Sequence, residues 1–238
     1  MNSRLTSAPR QLPLNLPHKA ALSRADFLVG AANRAAIELI DRWPLWPEHG
    51  MLLVGPAGSG KTHLVEIFRS LSGSGVIAAE QLPWAEPEAL VARGAVAIED
   101  LHRPTADETP LFHLLNLASE RNAALLLTSR LPTAALHVSL PDLASRLRAI
   151  PPVTLTAPDD QLLTRVLTKL FADRQLAVDS PVIDFIAQRI ERSLEAANAI
   201  ADRLDREALA AARPVTKRLA GVIIAEMFDR QPDFWPEA

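Results

Sequence analysis

The chain has 238 residues, 48% of them hydrophobic, with 25 Lys plus Arg against 28 Asp plus Glu. That length suits one or two domains with a real core, and a net charge of −3 without a basic block argues against an independent nucleic-acid binder, because phosphate neutralisation supplies most non-specific affinity. No run approaches the roughly 18 uninterrupted apolar residues of a membrane span, no signal-type segment follows residues 1–10, and the absence of Cys excludes disulfides, thiolate metal sites and cysteine nucleophiles; a cytoplasmic protein with no membrane partner is expected.

Residues 1–25, with Pro9, Pro13 and Pro17 and little periodicity, read as an extended arm outside the core. The spacing of Ala32, Ala35, Ala36, Leu39 and Ile40 predicts a helix within Ala31 to Trp43, broken by Pro44 and Pro47. The apolar run Met51 to Val54 then leads directly into Gly55-Pro56-Ala57-Gly58-Ser59-Gly60-Lys61-Thr62, which completes the pattern G-x-x-x-x-G-K-[ST]. Glycines at these places let several backbone N–H groups turn inward and set phosphates at the mouth of a helix, Lys61 reaches the β- and γ-phosphates, and the Thr62 hydroxyl is placed to ligate Mg²⁺. A bound nucleoside di- or triphosphate, ADP or ATP, is therefore expected.

Short apolar runs at Val76 to Ala79, Ala95 to Ile98, Leu125 to Thr128 and Val153 to Leu155 read as further buried strands. They alternate with helical stretches at Lys61 to Leu71, Glu86 to Ala92, Glu108 to Arg121 and Pro141 to Leu147. Such alternation predicts an α/β fold with a parallel five-stranded sheet flanked by helices, its ligand at the carboxyl ends of the strands. After Ala157 the strand signal stops, and four helices are expected within Asp159 to Arg174, Ser180 to Arg189, Leu194 to Ala212 and Val215 to Met227. Asp159 and Ser180 are the expected N-caps, with Pro181 opening its helix. The expected organisation is an arm over 1–25, a nucleotide-binding domain over 26–157, a small all-helical lid over 158–228 and a tail over 229–238.

The strand Ala95 to Ile98 ends in Glu99 and Asp100, the paired carboxylates with which P-loop ATPases hold the Mg²⁺ shell and orient the attacking water. In AAA+ ATPases the first of the two is normally Asp; with Glu99 first and Asp100 second, slow hydrolysis with retained binding is expected. The strand Leu125 to Thr128 ends where such enzymes place a γ-phosphate sensor, a role open to Thr128, Ser129 or Arg130.

With these features the chain resembles the AAA+ domain of the bacterial replication initiator DnaA. Asp26-Phe27-Leu28-Val29-Gly30 followed by Asn33 is similar to the family's adenine-contacting N-terminal box, and Asp142-Leu143-Ala144-Ser145-Arg146-Leu147 to its box VII, whose Arg is a finger offered to a neighbouring subunit. Glu191-Arg192-Ser193-Leu194-Glu195 resembles the start of the sensor-two helix, and Asp202-Arg203-Leu204-Asp205-Arg206 continues it much as in Hda, the short paralogue that inactivates DnaA. The resemblance implies a nucleotide site built from Phe27, Leu28, Val29, Asn33, the loop Gly55, Pro56, Ala57, Gly58, Ser59, Gly60, Lys61, Thr62 with His63 after it, Ser129 and Arg192. It places Mg²⁺ by Thr62 and Glu99, and Arg146 acts in trans.

The chain ends soon after Met227, so no room is expected for the initiator's DNA-reading helix-turn-helix, nor any direct sequence-specific DNA binding. Gln11-Leu12-Pro13-Leu14-Asn15-Leu16-Pro17 is similar to the peptide by which Hda docks on the sliding clamp, the DNA polymerase III beta subunit; Gln11 suits a polar notch and Leu12, Leu14 and Leu16 an apolar groove. The implied function is a clamp-bound, nucleotide-bound negative regulator that stimulates ATP hydrolysis by DnaA, and a homodimer through the Arg146 face is expected on the same grounds. A self-sufficient ATPase loader or remodeller, and an adaptor that carries nucleotide as a structural cofactor, are the alternatives. The six His show no metal-ligand spacing, and Trp43, Trp46 and Trp84 read as packing residues.

Overall fold

A computed structural model describes residues 22–46, 49–103, 107–211 and 213–228; Gln11, Leu12, Leu14, Leu16, Phe234 and Trp235 lie outside the described residues. Strands β1 (Gly50–Val54), β2 (Gly75–Ala78), β3 (Ala95–Glu99), β4 (Ala124–Ser129) and β5 (Pro152–Thr154) form one sheet in the order β2-β3-β4-β1-β5. All pairings are parallel. The five-stranded parallel sheet with flanking helices and a helical lid, expected from the alternation of apolar runs, is the fold.

The strand residues alternate between two cores, as a pleat of period two requires. Leu52, Val96, Ile98, Leu125 and Leu127 pack with helices α3 (Pro87–Val91), α4 (Thr109–Glu120) and α5 (Pro141–Ala149). Met51, Leu53, Ala95, Ala97 and Leu126 face α1 (Arg34–Asp41) and α2 (Lys61–Ser72) through Ile37, Ile40, Leu64 and Phe68. Trp43 and Trp46 belong to that second layer, with the Trp46 ring stacked on Phe68 at 5.0 Å. Trp84 does not pack: it closes the 3-10 turn Ala79–Trp84 directly after Pro83, on the solvent side, and is 83% exposed.

The lid is α6 (Asp160–Asp173), α7 (Ser180–Ala187), α8 (Leu194–Ala211) and α9 (Lys217–Phe228), closed over Leu167, Phe171, Ile186, Ile200, Leu204 and Ile223. Asp159 caps α6, its carboxylate accepting the Leu162 amide at 2.7 Å. Ser180 does not cap α7; Asp179 occupies the N-cap position, because its carbonyl is the one that accepts the first turn's amides, from Val182 and Ile183 at 2.8 and 3.2 Å. Ordered contacts are also made by residues before Asp26. Arg24–Asp26 forms a 3-10 turn, and the Arg24 guanidinium pairs with Asp41 at 2.7 Å.

Candidate functional site

β1 lies between β4 and β5, with its successor β2 at the far edge, so the carboxyl end of β1 is where the strand order reverses and a crevice opens. The segment that leaves β1 there is Gly55 to Thr62. The Gly55 amide donates to the Ser129 carbonyl of β4 at 3.1 Å, anchoring the start of the loop to the sheet. Gly58 at φ 66° and Gly60 at φ 97° then take the left-handed conformation that turns the chain into α2, a conformation that costs an L side chain about 1–2 kcal/mol. Lys61, 8% exposed, donates its ammonium protons to the Gly55 and Pro56 carbonyls at 2.8 and 2.7 Å, with the Ser59 hydroxyl at 3.4 Å. Burial lowers the Lys61 pKa, Arg130 lowers it further, and Asp100 and Glu99 oppose both. A cation held by two backbone carbonyls at the N-terminus of a 12-residue helix is an arrangement suited to receive an anion.

The acidic pair takes its place beside this loop. The Thr62 hydroxyl donates to Glu99 Oε1 at 2.8 Å, which puts a hydroxyl and a carboxylate of the Mg²⁺-type oxygen donor set in contact. Burial raises the Glu99 pKa, with the Thr62 hydrogen bond working against it. Asp100 sits at φ 62°, an uncommon conformation for a non-glycine residue, held there by its amide donating to the Thr128 hydroxyl at 3.0 Å. Its carboxylate lies 3.2 Å from Arg103 Nε, and Arg103 also pairs with Glu80. Thus the two carboxylates diverge: Glu99 turns to Thr62, and Asp100 lines the open cleft.

The cleft holds about 360 Å³ and runs from this polar end to an apolar one between the sheet domain and the lid. Phe27 and Leu28 line the apolar end together with Leu162, Val166 and Leu170 of α6. Phe27 meets the His63 ring edge-to-face at 5.0 Å, and burial lowers the His63 pKa. A flat heterocyclic base suits such a slot. Asn33 also reaches the cleft, but its amide is spent on shape: its side-chain oxygen accepts the Gly30 amide at 2.9 Å and its side-chain nitrogen donates to the Leu28 carbonyl at 3.0 Å. The Lys169 ammonium bridges Asp26 at 2.9 Å and Asp173 at 2.6 Å, clasping the N-terminal box to α6. That clasp was not foreseen; its one sequence sign is the i,i+4 pair of Lys169 and Asp173.

Three expected site residues stand elsewhere. Arg192 is outside the cleft and largely exposed, in a two-pronged pair with Asp160 at 2.9 and 3.0 Å; it precedes the first residue of α8, and the carboxylate opposite it in the first turn of α6 captures the guanidinium. Ser129 is buried, its hydroxyl donating to the Leu131 carbonyl at 2.6 Å and accepting the Leu131 amide at 2.9 Å. Val29 offers only a carbonyl, which accepts from Arg165 at 3.2 Å, and its side chain packs with the α1 and α2 layer. Of the three sensor candidates after β4, Thr128 is committed to the Asp100 amide, Ser129 to Leu131, and Arg130 alone lines the cleft. From the lid, Leu194, Glu195 and Asn198 enter it instead of Arg192.

Arg146 does not line this cleft. It lies on the exposed side of α5, its guanidinium carbon 5.8 Å from the Phe112 ring centroid, and it forms no ion pair among the described residues. The Glu108 carboxylate accepts the Ser139 and Leu140 amides at 2.8 and 2.9 Å, fixing the approach to that helix. Among the described residues no helix is long and apolar enough to cross a membrane, and no group of three or more acidic, His or Cys side chains forms a protein-only metal site.

No family model matches the chain. It is 25% identical over 249 aligned positions to the chromosomal replication initiator protein DnaA of Herpetosiphon aurantiacus, an alignment covering 92% of this chain and 53% of that protein. The chain thus spans about half the length of that relative. Domain III of the Thermotoga maritima replication initiation protein DnaA superposes with a TM-score of 0.72 at 17% identity, covering 90% of this chain and 100% of that one. The replication initiator DnaA bound to AMPPCP and single-stranded DNA gives 0.67 at 18% identity, over 89% of this chain and 70% of its own. The chain is thus similar in sequence to part of a DnaA protein, and its fold is that of DnaA domain III.

Proposed function

We propose that this chain binds ADP or ATP in the cleft and serves as a nucleotide-bound negative regulator of replication initiation. In this function it docks on the sliding clamp and presents Arg146 to ATP held by DnaA. The observation that carries the proposal is the position of Arg146: a cation on α5 that does not line its own nucleotide cleft, is exposed, and has no ion-pair partner among the described residues. A cation so placed is available to a nucleotide held by a neighbour.

The cleft fits an adenine nucleotide with Mg²⁺. Lys61 and the loop amides hold the phosphates, Thr62 and Glu99 the metal, and the slot at Phe27, Leu28 and Leu162 the base. Mg²⁺, when bound, neutralises phosphate charge. Nucleotide seated between the sheet and α6 sets how the lid rests on the sheet domain, and through that body where Arg146 is presented. Gln11, Leu12, Leu14 and Leu16 supply the clamp contact. Arg146 stabilises charge developing on the initiator's γ-phosphate, and two copies can associate through the same face.

The test measures ATP hydrolysis by DnaA with clamp-loaded DNA and this protein in ADP. Arg146→Ala should abolish stimulation, a loss on the order of 10³-fold for a finger supplied in trans, while ADP and clamp binding persist. Full stimulation by the variant overturns the finger assignment. Steady-state turnover of the isolated protein at a remodeller's rate would favour a self-sufficient ATPase.

A further inference from the structure

We infer that Lys169 is a positioning residue for the nucleotide's base: with Asp26 it forms a reversible latch that closes the base end of the cleft. The inference rests on the nucleotide-binding part of the proposed function and adds the contact that holds the base slot shut.

Among the described residues, polar bonds tie the lid to the sheet domain at both ends of the cleft. At the phosphate end the tie is the bond from the Leu194 amide to the Gly58 carbonyl. At the base end both ties run from α6 to the N-terminal box: Arg165 donates to the Val29 carbonyl at 3.2 Å, and the Lys169 ammonium lies 2.9 Å from the Asp26 carboxylate. Of the ion pairs among the described residues, Lys169 with Asp26 is the one that joins the lid to the sheet domain. Asp26 directly precedes Phe27 and Leu28, one wall of the apolar slot; Leu162, Val166 and Leu170, on the helix of Lys169, form the other. Near the start of that helix the walls already touch, since a Cβ placed on Gly30 would lie 2.9 Å from Leu162 Cδ2. Lys169 stands about two turns further on, roughly 10 Å along the helix. A clasp there holds α6 down along the length of the slot.

Each partner keeps a local bond when the two separate. Lys169 Nζ also lies 2.6 Å from the Asp173 carboxylate, one turn on in α6, and the Asp26 carboxylate accepts the Ser23 hydroxyl at 2.5 Å. The Lys169 and Asp26 side chains are only 26% and 23% exposed, and a charge so placed is strongly disfavoured once it loses every partner. Asp173 and Ser23 remove that penalty, so the latch opens without stranding either charge. Opening loosens the base end while the Leu194 to Gly58 bond still holds the phosphate end. A ligand made of phosphates alone is therefore indifferent to the latch, and a ligand that carries a base gains from its closure.

Calorimetric titrations of the intact chain with ADP and with inorganic pyrophosphate, both in Mg²⁺, separate the two ends. Lys169→Met should weaken ADP by roughly tenfold, the typical worth of one charge-assisted hydrogen bond, and leave pyrophosphate within about twofold. Lys169→Arg should keep ADP binding near that of wild type. Asp26→Asn combined with Lys169→Met should weaken ADP no further than Lys169→Met alone, the signature of a shared contact. Asp173→Asn should not weaken ADP, because it removes the fallback partner and leaves the latch in place. Thermal melts check that each variant folds. ADP affinity unmoved by Lys169→Met, an equal loss for pyrophosphate, a full loss in Lys169→Arg, additive losses in the double variant, or weakening by Asp173→Asn each overturns the latch. Wild type that fails to bind ADP, or binds it without competition from pyrophosphate, overturns the nucleotide-binding proposal itself, a result distinct from the others.

Discussion

Gly58→Ala tests the contact between the phosphate loop and the lid, and Gly94→Ala supplies its control. Both glycines have positive φ, 66° and 75°, so an alanine at either place meets the same backbone penalty, about 1–2 kcal/mol. Their surroundings differ. The added methyl at Gly94 has nothing within 4 Å, whereas at Gly58 it meets Ser193 Cβ at 2.8 Å and Glu195 Cβ and N at 3.0 Å. Relief requires the start of α8 to withdraw, which lengthens or breaks the Leu194 amide to Gly58 carbonyl bond of 2.8 Å. That bond contributes about 1 kcal/mol, and overpacking adds about 1 kcal/mol or more. Beyond the shared backbone cost, about 2 kcal/mol should therefore fall on lid closure alone, roughly 30-fold in Kd. The assay is ADP titration of both variants, with hydrogen exchange at the Leu194 amide as the local readout. Gly94→Ala should lose stability without losing ADP affinity; Gly58→Ala should lose both and exchange faster at Leu194. Equal ADP affinity in the two variants would refute the idea that the loop and lid share this contact.

Because burial raises its pKa, Glu99 contributes stability while protonated, and that contribution is lost as pH rises through its folded pKa. Glu99→Gln should accordingly be more stable than wild type on the alkaline side in metal-free buffer, and should lose the Mg²⁺-dependent part of its ATP affinity; melts and titrations across pH check both. Asp159→Ala removes the acceptor of the Leu162 amide and should cost about 1 kcal/mol in urea unfolding. Glu108→Ala frees the Ser139 and Leu140 amides at an exposed place worth about 1 kcal/mol, so stimulation of DnaA should fall roughly fivefold with ADP affinity unchanged.

The phosphate loop and the sheet were legible because each is written locally: the loop in eight consecutive residues, the buried strands in runs such as Leu125 to Leu127 whose neighbours cover both faces. The lid's contribution was not. Which residue at the start of α8 enters the cleft depends on where that helix begins, and Arg192 stands before its first residue while Glu195 follows it. A helical wheel drawn from sequence has no fixed phase until that start is known. Asp160, distant in sequence, decides where the Arg192 side chain goes. Ser129 failed for a different reason: a hydroxyl at a strand end can bond its own backbone two residues on, and it does. Trp84 carried no periodicity to mark its face, and its turn leaves it in solvent.

The first described residues lie at the lip of the cleft: Leu22 lines it, His63 Nε2 donates to the Ser23 carbonyl at 3.0 Å, and Arg24 is fastened to Asp41. The chain between Leu16 and Leu22 spans at most about 20 Å even when fully drawn out. A partner holding Gln11 to Leu16 would thus stand within that reach of the nucleotide cleft. His63 belongs to the helix that carries Lys61 and Thr62, so a force arriving at Ser23 would be felt beside the phosphates.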